Sequence, residues 1–289
     1  MRLALNPLQL WQVCRFEVLR RLRSVAGIVA LLVLVVASAV VGRQLARVAR
    51  LLNEAASGEE AGAFEMVADM VAGMAGFPLD MVRATLDAHS PPLVGAFAFL
   101  MFAMPLLTLF MGYDQCASDI ETRHARFLAF RVDRVTLYLG KLLGAWALIS
   151  MVVGVATVSM AGYIWVAGGS VPTASDFAYL GRIVATVSVS ALPLLTLLGL
   201  LGTLRGQARR VVLFAILGWI VVSIAAGVLR HAWDLPMAAD TVEALWPTTG
   251  RWSLILDEGG PWLMSAGRAV VYSLIVGALG VLHFRKRDL

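Results

Sequence analysis

Six long apolar runs, separated by short charged stretches, set the pattern of the chain. They cover residues 24–42, 93–112, 142–175, 183–204, 211–229 and 261–284. Each can supply the roughly 20 apolar residues that a membrane-crossing helix needs. The third is long enough for a span and a short exit loop. Pro261, favourable in a first helical turn, starts the sixth. Arginines bracket the first run (Arg23, Arg43) and the fifth (Arg210, Arg230), twenty positions apart in each case. At a rise of about 1.5 Å per residue that is about 30 Å, the hydrocarbon thickness.

Amphipathic stretches fill the remainder. In residues 1–23, Leu5, Leu8, Trp11, Phe16, Leu19 and Leu22 recur at near-helical intervals, with Arg15, Arg20, Arg21 and Arg23 between them. That pattern predicts a helix lying in the membrane interface, its basic face toward anionic headgroups. Residues 43–92 form a fifty-residue insertion. Leu45, Val48 and Leu52 extend the first span; Phe64, Val67, Met70, Val71 and Met74 mark a second stretch; Pro78 opens a third that runs to Ala88. Residues 230–260 and the start of the sixth span carry Trp233, Trp246, Trp252 and Trp262, which suits an aromatic belt. Both regions are predicted to be helical caps on the outer surface.

Composition narrows the class. Of 289 residues, 60% are apolar and only 15% charged, and the mean hydropathy is +0.81. A soluble domain would carry about 25% charged residues, so the chain reads as a single all-α, polytopic membrane domain over 1–289. A cytosolic enzyme and a nucleic-acid binder are excluded, the basic excess reporting topology instead. With the N-terminus inside, the inner segments hold 16 basic and 6 acidic residues, and the outer ones 8 and 13. Both termini are therefore expected in the cytoplasm. Ala37-Ser38-Ala39 looks like a cleavage site, but 23 residues precede a 19-residue apolar run, too long for a signal core. An uncleaved anchor is expected. Arginine (22) far outnumbers lysine (2), as in a high-GC bacterium.

Little conventional chemistry is visible. No charge-free span contains a carboxylate or histidine; Arg182 and Arg268 stand near outer span ends, where they can snorkel. Ion-coupled transporters place ionisable groups at mid-membrane, so that class is disfavoured. His89, His124, His231 and His283 are scattered, and Gly140-Lys141-Leu142 is not a phosphate loop. Cys14 and Cys116 lack metal-site spacing. Met66, Met70 and Met74 recur every four residues on one helix face. Thioethers suit Cu(I), but methionines filling the apolar side of an interfacial helix is the weightier reading. The small-residue steps Gly140/Gly144 and Ser273/Gly277 permit close helix packing and say little about function.

Residues 113–141 are more informative. Tyr113 to Glu121 is acidic; Arg126-Phe127-Leu128-Ala129-Phe130-Arg131 follows, then Arg134 and Leu139-Gly140-Lys141. Five basic and four acidic charges alternate with Ile120, Phe127, Leu128, Phe130 and Leu137. A nearly balanced amphipathic helix of this kind suits a protein surface better than anionic lipid.

This stretch resembles the signature of type-2 ATP-binding-cassette (ABC) exporter permeases. There an acidic element leads into a short helix, an arginine follows, and six residues on a Leu-Gly-Lys opens the third span. Glu121, Arg126-Phe127-Leu128, Arg134 and Leu139-Gly140-Lys141 keep that order. The chain departs from the pattern at Arg123-His124-Ala125, where the family has Gly-Thr, in lacking a proline before Arg134, and in a shorter step from Glu121 to Arg134. The resemblance implies a six-span permease in the bacterial inner membrane, paired with a second permease chain, identical or different, and with separate ATPase subunits that hold ATP and Mg. The chain itself would carry no cofactor and no catalytic residue. Glu121, Arg126, Phe127, Leu128, Phe130 and Arg134 would form the coupling helix that docks on the ATPase. Trp11, Arg15 and Arg20 would belong to an elbow helix that lets the spans pivot. The uncharged interior suits a lipid-like or otherwise hydrophobic cargo, or gating that needs no stable aqueous pore, and the outer caps suit a periplasmic accessory protein. The alternative is a membrane anchor or scaffold for a periplasmic maturation factor, with no transport cycle of its own.

Overall fold

In a computed structural model, the described residues are 6–56, 69, 72, 79–122, 132–169, 171–233, 235–244, 246–248, 251–255 and 259–286. They form helices and turns, with no strand among them. In chain order the helices are α1 (Pro7–Leu22), α2 (Val25–Ala56), α3 (Leu79–Ala88), α4 (Pro91–Gly112), α5 (Ala117–Glu121), α6 (Arg134–Gly168), α7 (Ala174–Arg205), α8 (Ala208–His231), α9 (Pro236–Ala244) and α10 (Gly259–Lys286). A single 3-10 turn, Arg251–Leu254, lies between α9 and α10. Six of the helices, α2, α4, α6, α7, α8 and α10, are long and apolar enough to span a membrane. The chain is a multi-pass membrane protein.

Local chemistry sets the helix ends. Asn6 Oδ1 accepts from the amides of Leu8 and Gln9 at 3.1 and 3.4 Å, and Pro7 follows it in the first turn. Asp133 caps α6 through the amide of Val135 (3.0 Å), and Thr173 with Asp176 forms a capping box on α7. Gly169 and Gly206, at φ 72° and 64°, end α6 and α7 in the left-handed conformation that a Cβ would oppose.

The six long helices bring α1 and the end of α10 to one face of the bundle, at the foot of α6, here the terminal face; the opposite side is the far face. α7 is the axial helix, with 67% of its most apolar window buried, against 17% for α2, α8 and α10. The outward sides of those three are apolar, including Leu32 and Val36, Ile220 and Ile224, Leu274 and Ile275. Such surface would aggregate in water and is the normal lipid-facing surface in a bilayer. α2, at 32 residues, is about 48 Å long, so it overshoots the hydrocarbon by roughly a third of its length.

Three expectations are revised. α6 starts at Arg134, eight residues before the predicted third span, so Leu137 and Lys141 belong to a spanning helix. The amphipathic helix expected within 113–141 does not run unbroken through that stretch: α5 ends at Glu121 and the extended Asp133 begins a new helix, while residues 123–131 lie outside the described ones. The tryptophans after the fifth span do not all lie in a surface belt. Trp262 Nε1 donates to Thr186 Oγ1 on α7 at 3.3 Å, inside the bundle. The extension of the first span and the helix after Pro78 are present as the end of α2 and as α3.

Candidate functional site

α1 lies against α6 on the terminal face, and two glycines make the seat. A Cβ at Gly140 would come within 2.7 Å of the Val13 side chain, and one at Gly144 within 2.9 Å of the Cys14 carbonyl. This close approach carries Glu17 and Arg21, one helical turn apart, into the bundle, where they are 1% and 5% exposed. The apolar Leu8, Trp11 and Phe16 face outward instead. Thus part of the expected headgroup-binding basic face is turned inward, because Arg21 has found carboxylates there.

Six charges meet beneath α1. Glu17 Oε1 accepts from Arg21 Nε at 2.7 Å and from Arg20 Nη2 at 2.9 Å. Arg20 Nη1 donates to Asp119 Oδ1 at 3.1 Å. Arg21 Nη2 pairs with Asp114 Oδ1 at 2.8 Å, an ionic contact without hydrogen-bond alignment. Lys141, 4% exposed, pairs with Asp119 and donates to the Gln115 carbonyl at 3.0 Å. Arg21 Nη1 also donates to the Met111 carbonyl in the last turn of α4, where the helix dipole favours a cation. Three acids and three bases therefore balance. Burial alone would raise the Glu17 carboxyl, but Arg21, Lys141 and Arg20 outweigh it and hold the group below the usual carboxylate range.

Chemically this knot is a mechanical fastening. It ties α1, the end of α4, α5 and the foot of α6, so none of them moves without breaking buried ion pairs. Beside it an open cavity of about 470 Å³ separates α1 from α5, lined by Gln12, Phe16, Ser118, Thr122 and Val132 among others.

Of the residues expected at an ATPase contact, Glu121 is exposed at the end of α5. Arg134 opens α6 and donates to the Arg285 carbonyl at 2.9 Å, joining the feet of α6 and α10. Arg126, Phe127, Leu128 and Phe130 lie outside the described residues, as do Met66, Met70 and Met74. Trp11 and Arg15 are exposed on α1, while Arg20 is in the knot. Glu17, Arg21, Asp114, Asp119 and Lys141 were not singled out as site residues from sequence. The available signal was Glu17, the only acid among the first 23 residues, at helical spacing from Arg20 and Arg21.

A second site lies deeper. α9 packs back along α8, with Arg230 Nη2 reaching Asp240 and Glu243 at 2.7 and 3.3 Å. The chain then brings Trp246 onto Gly218, where an added Cβ would meet the indole at 3.1 Å. Gly218 stands ten residues past Ala208, about 15 Å along α8 and so at mid-membrane depth. Residues 246–248 and 251–255 therefore re-enter the bundle, and Leu254 and Ile255 are buried in it. Non-helical backbone is tolerated at that depth only when covered by protein or lining a cavity. Both hold here. A groove of about 430 Å³ runs between α4, α7 and α8, closed by Trp246, Thr248 and Arg251. Behind Trp246 and Arg251 lies a smaller space of about 20 Å³, lined also by Ser265, Arg268 and Tyr272.

At the far face, His89 stacks on Tyr179 with ring centroids 3.8 Å apart. Burial, and then the nearby Arg182, hold the imidazole below its ordinary pKa. Among the described residues, no three His, Cys, Asp or Glu side chains gather as a metal site. No protein-family model matches the chain, nor does any curated protein sequence.

Proposed function

We propose that this chain is the permease subunit of an ATP-driven ABC exporter in the bacterial inner membrane, working with a second permease chain and separate ATPase subunits. One observation carries the reading: the six-charge knot, four of its members buried, that joins α1 to α5 and to the foot of α6. An exporter needs a rigid link between the loop pushed by the ATPase and the helices that must tilt. A loop that only connected two spans would need no desolvated charges, whose burial is costly unless they are paired. Force applied near Glu121 passes through Asp119 and Asp114 to α1 and through Lys141 to α6. The exposed apolar side of α1 lets it slide in the interface while the knot stays closed.

The test is co-purification of the tagged chain with any ABC ATPase encoded beside it, followed by ATP hydrolysis and transport in proteoliposomes. Asp119→Asn is expected to leave the ATPase bound and hydrolysing while transport falls at least tenfold. A wild-type chain that never retains an ATPase would sink the reading. A variant that transports normally would remove the knot from the mechanism.

A scaffold role is the second reading, and the overshooting α2 favours it, since a projecting helix is a natural docking post. It expects an extracytoplasmic partner and no ATPase.

A further inference from the structure

We propose that the groove between α4, α7 and α8 binds a phosphate-bearing lipid, its anionic head on Arg251 and one hydrocarbon chain along Phe102, Leu106, Leu109 and Trp219. The groove's volume of about 430 Å³ falls in the range of small-molecule sites, about 300–1,000 Å³. Its walls are almost wholly apolar, with polarity concentrated at the closed end in Thr248, Arg251 and the Trp246 indole. That is the shape of an amphiphile.

Charge fixes which amphiphile. Arg251 is half-buried, and the re-entrant segment sets it beside a helix at mid-membrane depth, where a cation is expensive and marks a functional site by default. Among the described residues, the charged side chains lining the groove and the smaller space behind it, Arg251 and Arg268, are both cations. A guanidinium presents five donors in a planar fork that matches phosphate bidentately, and it can serve a second acceptor at the same time. A zwitterionic head would bring its own cation against two arginines. Access is open: Phe102, Leu106 and Trp219 are each more than half exposed, so a chain can enter sideways from the bilayer. Pro105, inside α4, also lines the groove, and its ring removes one backbone donor from the wall. Calling this lipid cargo rests on the exporter reading; its binding does not.

The experiment uses the purified full chain in neutral detergent and follows quenching of tryptophan fluorescence by lysophospholipids with a brominated chain. Two head groups are compared on the same chain, lysophosphatidic acid and lysophosphatidylcholine, with inorganic phosphate as competitor. The wild type is expected to bind the phosphate head at least about tenfold more tightly, the scale of a charge-assisted pair. Inorganic phosphate should compete only weakly, because it lacks the chain. Arg251→Gln should bring the two affinities together, and Arg251→Lys should keep part of the preference. Leu106→Trp, which fills the groove from its exposed side, should weaken both lipids and needs no change at the arginine. Equal wild-type affinity for the two heads would overturn the proposal, as would an unchanged preference in Arg251→Gln. Affinity untouched by Leu106→Trp would do the same even if the arginine variants failed to fold. Failure of the exporter reading looks different: the head-group preference persists, but no ATPase is retained and ATP moves no lipid.

Discussion

Replacing Lys141 by methionine removes one cation from the six-charge knot and leaves a side chain of similar length. Asp119, 7% exposed, then keeps only Arg20 at 3.1 Å, and the Gln115 carbonyl loses its 3.0 Å donor. Removing one partner of a buried pair costs about 3–5 kcal/mol. Protonation sets a ceiling: holding an aspartic acid neutral at pH 7, against an ordinary pKa of about 3.9, costs about 4 kcal/mol. Arg20 remains, with its side chain 31% exposed, so the lower end, about 3 kcal/mol, is expected. Asp119→Asn alone should cost a similar amount by orphaning Lys141. The double variant restores balance, with Glu17 and Asp114 facing Arg20 and Arg21. Its loss should therefore fall short of the sum of the single losses by about 2–3 kcal/mol. The assay is unfolding of the detergent-solubilised chain, run at low and high salt. Because buried pairs are screened weakly, the coupling should survive high salt, unlike that of the surface pair Arg230–Asp240. Additive single losses, or a coupling abolished by salt, would refute the reasoning.

Three further outcomes are expected. Gly144→Leu should lift α1 from α6 and accelerate alkylation of Cys14, whereas Gly154→Ala, with open space around it, should change nothing; equal alkylation rates would show that the seat does not hold α1. Glu121→Cys, in a chain lacking Cys14 and Cys116, should react with an impermeant thiol reagent only from the cytoplasmic side, and labelling from outside would reverse the topology. His89 is held below its ordinary pKa, so the unfolded chain binds more protons there; stability should be intact above about pH 6.5 and decline as pH falls below it. His89→Phe should keep the stack on Tyr179 and flatten that acid limb in a pH series of unfolding midpoints.

The spans were legible because a bilayer demands about 20 apolar residues in a row, and the six runs met that demand without reference to any neighbour. Where neighbours decide, sequence spoke less clearly. Lys141 read as the mark of a span's start, yet it lies two turns inside α6 because the Asp119 carboxylate of α5 reaches it. Gly140 and Gly144 read as generic packing, and only the position of α1 makes them a seat. Trp246 and Arg251 carry no sign of depth in their own residues. Their descent depends on the missing side chain of Gly218 and on the cavity that covers their backbone. Glu17 was the one knot member whose isolation among arginines could have given it away.

The balance of three acids and three bases has an electrical consequence. Moving a unit charge through the membrane field is worth about 2.3 kcal/mol per 100 mV. A cluster with no net charge that shifts as a body does next to no work against that field. If α1, α5 and the foot of α6 travel together, resting potential neither drives nor brakes the movement of the knot itself. Swapping any one of Glu17, Asp114, Asp119, Arg20, Arg21 or Lys141 for a neutral residue would turn it into a voltage-sensing one.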